Sequence, residues 1–98
     1  MTIHKTRNND TLILALEGRL ETTTAPELDA VVKTELEGVK ALVFDFAKLE
    51  YISSAGLRVL LAAQKIMTGQ GTMKVTGVNE IVAEIFEITG FSEILIVE

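Results

Sequence analysis

Short strand-like runs alternate with helical segments along this chain in the order β-β-α-β-α-β-α-β. Few architectures satisfy that order. Neighbouring strands joined by a helix run parallel, and their crossovers are right-handed. The expected fold class is therefore α/β: a mostly parallel sheet with an N-terminal β-hairpin and helices packed on it. Strands are expected at 2–7 and 11–16, around Asn8-Asn9-Asp10, residue types that tolerate left-handed turns. The run Leu12-Ile13-Leu14-Ala15-Leu16 is apolar on both faces, which places it inside the sheet, and Gly18 ends it.

The helices follow from periodicity and punctuation. The first is expected over 26–37, with Thr24 or Ala25 at the cap, Pro26 and Glu27 in the first turn, and Gly38 as its stop. Leu28, Val31, Val32 and Leu36 share one face of it, and Asp29, Lys33 and Glu37 the other. The apolar run 41–46, bounded by Lys48 and Glu50, reads as the central strand. A helix over 54–68 stops at Gly69-Gln70-Gly71, and 72–76 is a short strand. Asn79 caps a third helix over 79–89, in which Val78, Ile81, Val82, Ile85 and Ile88 face the core; Gly90 closes it, and 93–97 is the last strand. Leu14, Leu28, Val32, Val43, Leu60, Val75, Ile85 and Ile94 are the expected core.

Ninety-eight residues suffice for one domain with a single core. A net charge of −5 and an isoelectric point near 4.8 exclude a nucleic-acid binder, which needs a basic stripe. There is no cysteine, so disulfides and thiolate metal sites are ruled out. Residues 1–10 are polar, with no apolar leader, and no apolar run approaches the ~20 residues that span a bilayer. The chain is expected to be cytoplasmic, without membrane insertion.

Chemistry is sparse. His4 is the only histidine and has no Cys or second His to join it at a metal or catalytic centre. A triad of Ser53, His4 and Asp45 lacks the Gly-x-Ser-x-Gly elbow, and neither a Walker A sequence nor Gly-x-Gly-x-x-Gly occurs. No cofactor, metal or enzymatic activity is expected. What remains is the start of the second helix, where Ser53 and Ser54 meet backbone N–H groups that a helix leaves unpaired. A hydroxyl there is either a cap or a place where phosphate is added and removed. Arg58 lies four residues beyond Ser54, on the same helix face. The helix itself is apolar around most of its circumference, which suits burial on most sides or an apolar strip offered to a partner.

Ile52-Ser53-Ser54-Ala55-Gly56-Leu57 resembles the phosphorylation loop of the STAS domain family, the anti-sigma factor antagonists. Gly18-Arg19-Leu20-Glu21-Thr22-Thr23-Thr24-Ala25-Pro26 resembles that family's first loop, 41–46 its central strand with an acidic residue, and Gly90-Phe91-Ser92 the turn before its last strand. The resemblance implies a single STAS domain over 1–98, with Ser54 as phospho-acceptor and Ser53 the less favoured candidate. It implies a partner surface of Glu21, Thr22, Thr23, Ser53, Ser54, Ala55, Gly56, Leu57, Arg58 and Leu61, with Asp45 positioning the loop. The implied partners are an anti-sigma factor serine kinase, whose capture frees a sigma factor, and a PP2C-type phosphatase. Two positions depart from the family: Ser53 stands where many members have Asp before the modified residue, and Glu21 where Asp is common. The first of these departures favours the alternative of a STAS module in another assembly, lipid-transport or stressosome-like, without regulated phosphorylation.

Overall fold

The computed structural model describes residues 1–98. Its elements are β1 (Thr2–Asn8), β2 (Thr11–Leu20), α1 (Ala25–Glu35), β3 (Ala41–Ile52), α2 (Ser54–Thr68), β4 (Thr72–Thr76), α3 (Glu80–Thr89), a 3-10 turn (Phe91–Glu93) and β5 (Ile96–Val97). The five strands lie side by side in sequence order; β1 and β2 are antiparallel, and β2 to β5 run parallel. Because each crossover advances the sheet in the same direction with the same hand, the three helices all fall on one face. Burial alternates accordingly. Leu12, Leu14 and Leu16 of β2, Leu42, Phe44 and Phe46 of β3, and Met73 and Val75 of β4 are buried under the helices. Their alternates Ile13, Ala15, Val43, Asp45, Lys74 and Thr76 stay partly or fully accessible.

β2 is thus interior to the sheet, as its composition suggested, but covered on one face only; Ile13 is 36% exposed. Gly18 does not end it. Two register shifts against β3, at Ala15/Glu17 and Gly18/Arg19, let β2 continue to Leu20, and Gly18 takes φ +108° at the second. The same irregularity exposes Ala47 and Lys48 together, so that Phe46 and Leu49 both point inward and β3 runs on to Ile52. These extensions carry the ends of β2 and β3 up to the start of α2.

Under the helices, Phe46 lies 5.9 Å from the Phe44 ring and 6.5 Å from that of Phe86 on α3, at the centre of an otherwise aliphatic core. Asn79 caps α3 as expected: its Oδ1 accepts from Val82 N at 2.8 Å, and its Nδ2 donates to the carbonyls of Leu49 and Glu50 at 3.1 and 3.3 Å. After α2, the Gln70 side chain ties the helix end to the loop before β3, its Nε2 donating to the carbonyls of Leu36 and Val39.

Several expectations are corrected. α1 ends at Glu35, with Leu36 as its C-cap, before Gly38 is reached. Residues 91–93 wind into a 3-10 turn instead of extending, which rotates the following chain. Leu95 therefore enters the core at 5% exposure, while Ile94 is 48% exposed and β5 shrinks to two residues. Val43 and Ile85 are only partly buried. On α3 the core takes Val82 and Phe86 but leaves Ile81 and Ile88 at 56% and 75% exposure, because a helix lying on a sheet buries a narrower stripe than this one carries.

Candidate functional site

The site forms where β2, β3 and the first turns of α1 and α2 meet. Ser53 is the N-cap residue of α2, in extended conformation, with its N–H bonded to the Leu20 carbonyl at 2.9 Å and its carbonyl accepting from Leu57 N at 3.0 Å. Its hydroxyl makes no capping bond; Ser53 Oγ is buried and has no hydrogen-bond partner. Ser54 is the first residue of α2 and is exposed. The N–H groups of Ser54, Ala55 and Gly56 have no protein acceptor. α1 and α3 each carry a glutamate in the first turn, Glu27 and Glu80; α2 has no acidic residue there. The partial positive charge of its N-terminus is left without a carboxylate.

Gly56 explains how α2 sits so low on the strand ends. A Cβ at this position would lie 2.7 Å from Leu20 Cγ and 2.8 Å from Ile52 Cγ1, both in side chains wedged into the core. Gly56 and Leu57 therefore face inward and brace the serine turn from beneath, while Ala55 and Leu61 are partly accessible and Arg58 is exposed. Arg58 takes part in no ion pair and stands one turn beyond Ser54. Ala55, Arg58 and Val59 of α2 face Thr22, Ala25, Pro26 and Asp29 across a groove of about 270 Å³. Asp29 is held by Lys33 at 2.9 Å. The groove's α1 wall was not foreseen from the sequence. Its only signal there was the threonine loop running straight into a helix.

The first loop is tied down rather than free. Thr24 Oγ1 accepts from Glu21 N at 2.9 Å and donates to the Arg19 carbonyl at 2.8 Å, so Thr24 braces the loop instead of capping α1. Glu21 accepts from Arg19 Nε at 2.9 Å, and the Arg19 guanidinium stacks 4.6 Å from the Tyr51 ring centroid. Thr22 and Thr23 are exposed at the loop's tip. The structure thus brings Glu21, Thr22, Thr23, Ser53, Ser54, Ala55 and Arg58 into one neighbourhood. Asp45 is not part of it. Its Oδ1 accepts from Ala47 N at 3.0 Å on the uncovered sheet face, where it lines a separate hollow with His4 and Glu17, and β3 runs on from it as far as Ile52. His4 bonds only to the exposed Glu17, at 3.3 Å.

Chemically, this arrangement offers an accessible hydroxyl beside unpaired N–H donors and a free guanidinium. It has no general base in contact with that hydroxyl. It suits an acceptor of phosphate better than a catalyst. No helix is long and apolar enough to cross a membrane.

The STAS domain model matches residues 2–98. BtrV of Bordetella bronchiseptica, named as an anti-sigma factor antagonist, is 39% identical over 85 residues, which cover 85% of this chain and 73% of BtrV. The crystal structure of an anti-sigma factor antagonist from Mycobacterium paratuberculosis matches 98% of this chain, and 83% of its own, with a TM-score of 0.88 at 20% identity. The Bacillus cell fate determinant SpoIIAA in its phosphorylated form matches 99% of this chain and 91% of its own, with a TM-score of 0.77 at 15% identity. At these identities the two structures share the fold, while the family match and BtrV carry the kinship. This chain belongs to the STAS domain family.

Proposed function

We propose that this protein is an anti-sigma factor antagonist whose binding is switched off by phosphorylation of Ser54. Unphosphorylated, it captures an anti-sigma factor that is itself a serine kinase of the histidine-kinase-like ATPase type, and so frees a sigma factor. The Ser54 hydroxyl oxygen takes the γ-phosphoryl group of the kinase's ATP, ADP leaves and the hydroxyl proton is lost. A PP2C-type phosphatase hydrolyses the phosphoserine and restores binding. The protein is substrate and binder in this cycle, without catalysis or a cofactor of its own.

The observation that carries this reading is the exposed Ser54 at the start of a helix whose first N–H groups are unpaired. A phosphate there gains those donors and the Arg58 guanidinium, so it leaves the helix intact. It also puts close to two negative charges on the surface that a partner must cover, with a cost in both desolvation and repulsion. The adjoining groove between α1 and α2, lined by Thr22, Ala55 and Arg58 among others, is the surface we assign to the partner, together with the exposed Thr23 and the partly accessible Leu61. The name of BtrV supports the same direction.

The test is intact-mass spectrometry after incubation with ATP and each candidate kinase of the genome. A single added phosphate that maps to Ser54 and abolishes capture of the same kinase is the expected result. The second reading, a STAS module of a larger assembly without regulated phosphorylation, draws on Ser53, whose hydroxyl stands unpartnered where many relatives have Asp. Absence of phosphate from the parent and from Ser53→Asp with every kinase would establish that reading instead.

A further inference from the structure

We infer that the outer face of α3 is a second docking surface, for a basic amphipathic segment of another protein, separate from the Ser54 site. Charge is distributed unevenly along this chain. Residues 1–76 contain nine basic and nine acidic side chains, whereas residues 77–98 contain five acidic and no basic ones, so the whole net charge of −5 resides in the last 22 residues. The same segment holds Ile81, Ile88, Ile94, Ile96 and Val97, five of the seven large hydrophobic residues left exposed. Acidic charge and exposed apolar surface therefore coincide.

On α3 they are ordered. Ile81, Ile85 and Ile88, spaced at i, i+4 and i+7, form one stripe; Glu80, Glu84 and Glu87, with the same spacing, form the stripe beside it. Ile88 is 75% and Ile81 56% exposed, which is unusual for isoleucine on two turns of one helix face. None of Glu80, Glu84, Glu87 or Glu93 has an ion-pair partner; the one acidic residue of the segment that does is Glu98, bonded to Lys74 at 3.2 Å. The 3-10 turn packs against α3, and Ile94 follows it in an exposed position.

This chemistry selects among occupants. A row of unpaired carboxylates repels an anionic lipid surface and nucleic acid. It equally disfavours a second copy, whose α3 would bring the same charges to the contact. The complement is a helix or strand with aliphatic anchors flanked by Lys or Arg, which would cover the isoleucines and neutralise the glutamates together. α3 packs on β3 and the 3-10 turn, whereas the Ser54 groove lies between α1 and α2, so the two surfaces can be engaged independently.

The test uses ¹⁵N-labelled protein titrated with a short amphipathic helical peptide of leucine and lysine. A peptide of identical composition with its leucines scattered around the helix serves as control. Shifts confined to α3 and Ile94 with the amphipathic peptide, and weaker binding by the scattered one, are expected. Ile88→Ala and Glu84→Lys, both at exposed positions, should each weaken binding about tenfold, with unchanged thermal unfolding. Shifts spread over the surface, shifts centred on Ser54 to Arg58, or equal binding of the two peptides would overturn the inference. So would a dimer in sedimentation that Ile88→Ala dissociates, or retention on vesicles of anionic phospholipid.

Discussion

Ser53 and Ser54 are adjacent, yet their hydroxyls occupy opposite environments, one buried without a partner and the other in solvent at the first position of α2. Only the second is open to an enzyme approaching from solvent, as the proposed switch requires. Ser54→Ala is expected to yield no phosphoprotein in a kinase assay, and Ser53→Ala to be modified still. Modification surviving Ser54→Ala would place the acceptor elsewhere. Ser54→Asp should abolish partner capture while changing stability by less than about 1 kcal/mol in urea unfolding, because a carboxylate at a helix N-terminus gains roughly 0.3–1 kcal/mol. Capture equal to the parent's would remove the main support for the switch. Gly56→Ala pits two effects against each other. Alanine raises helix propensity by up to ~1 kcal/mol, but a Cβ pressed against Leu20 and Ile52 costs about 1–3 kcal/mol. Near the first turn the propensity gain is the smaller, so the variant should lose stability and shift the serine turn; a stability gain would show that α2 can rise without cost.

At the scale of elements, one end of α2 and one end of α3 are each tied by an amide side chain to backbone about thirty residues upstream. Asn79 does two tasks that substitution can separate. Asn79→Ser keeps a capping oxygen but loses the amide bonds to Leu49 and Glu50, whereas Asn79→Ala loses both. Alanine should cost about 1–2 kcal/mol and serine roughly half of that, read from denaturant midpoints at equal m-value. Equal costs would mean that the amide contributes nothing beyond the cap. The same logic explains where sequence reading fell short among the elements. A cap acts through residues three positions away and was legible; the partners of its amide lie thirty residues upstream and were not.

Across the whole molecule, one core on one face of the sheet carries the stability, centred on Phe44, Phe46 and Phe86. Phe46→Ala should cost about 3–5 kcal/mol, a large share of the ~5–15 kcal/mol that holds a domain of this kind. Calorimetry should still show a single transition at lower temperature. A second transition would mean that the helices and the hairpin fold as separate units. The one-sided arrangement also leaves Ile13 and Val43 accessible on the far face, which a sheet covered on both sides would have buried.

Local sequence determined which segments became helices and strands, because apolar spacing, Pro26, Asn79 and Gly90 act within a few residues of themselves. It also marked the serine turn, since a helix start is written in the residues that surround it. Tertiary structure alone decided how far each strand ran and which side chains were covered. The bulges that carry β2 to Leu20 and β3 to Ile52 arise from pairing between strands, and the 3-10 turn that exchanges Ile94 for Leu95 is set by packing on α3. The exposure of Ile81 and Ile88 has the same origin. Periodicity reports that a helix has an apolar face, but the width of that face left in solvent depends on the curvature and reach of the sheet beneath it.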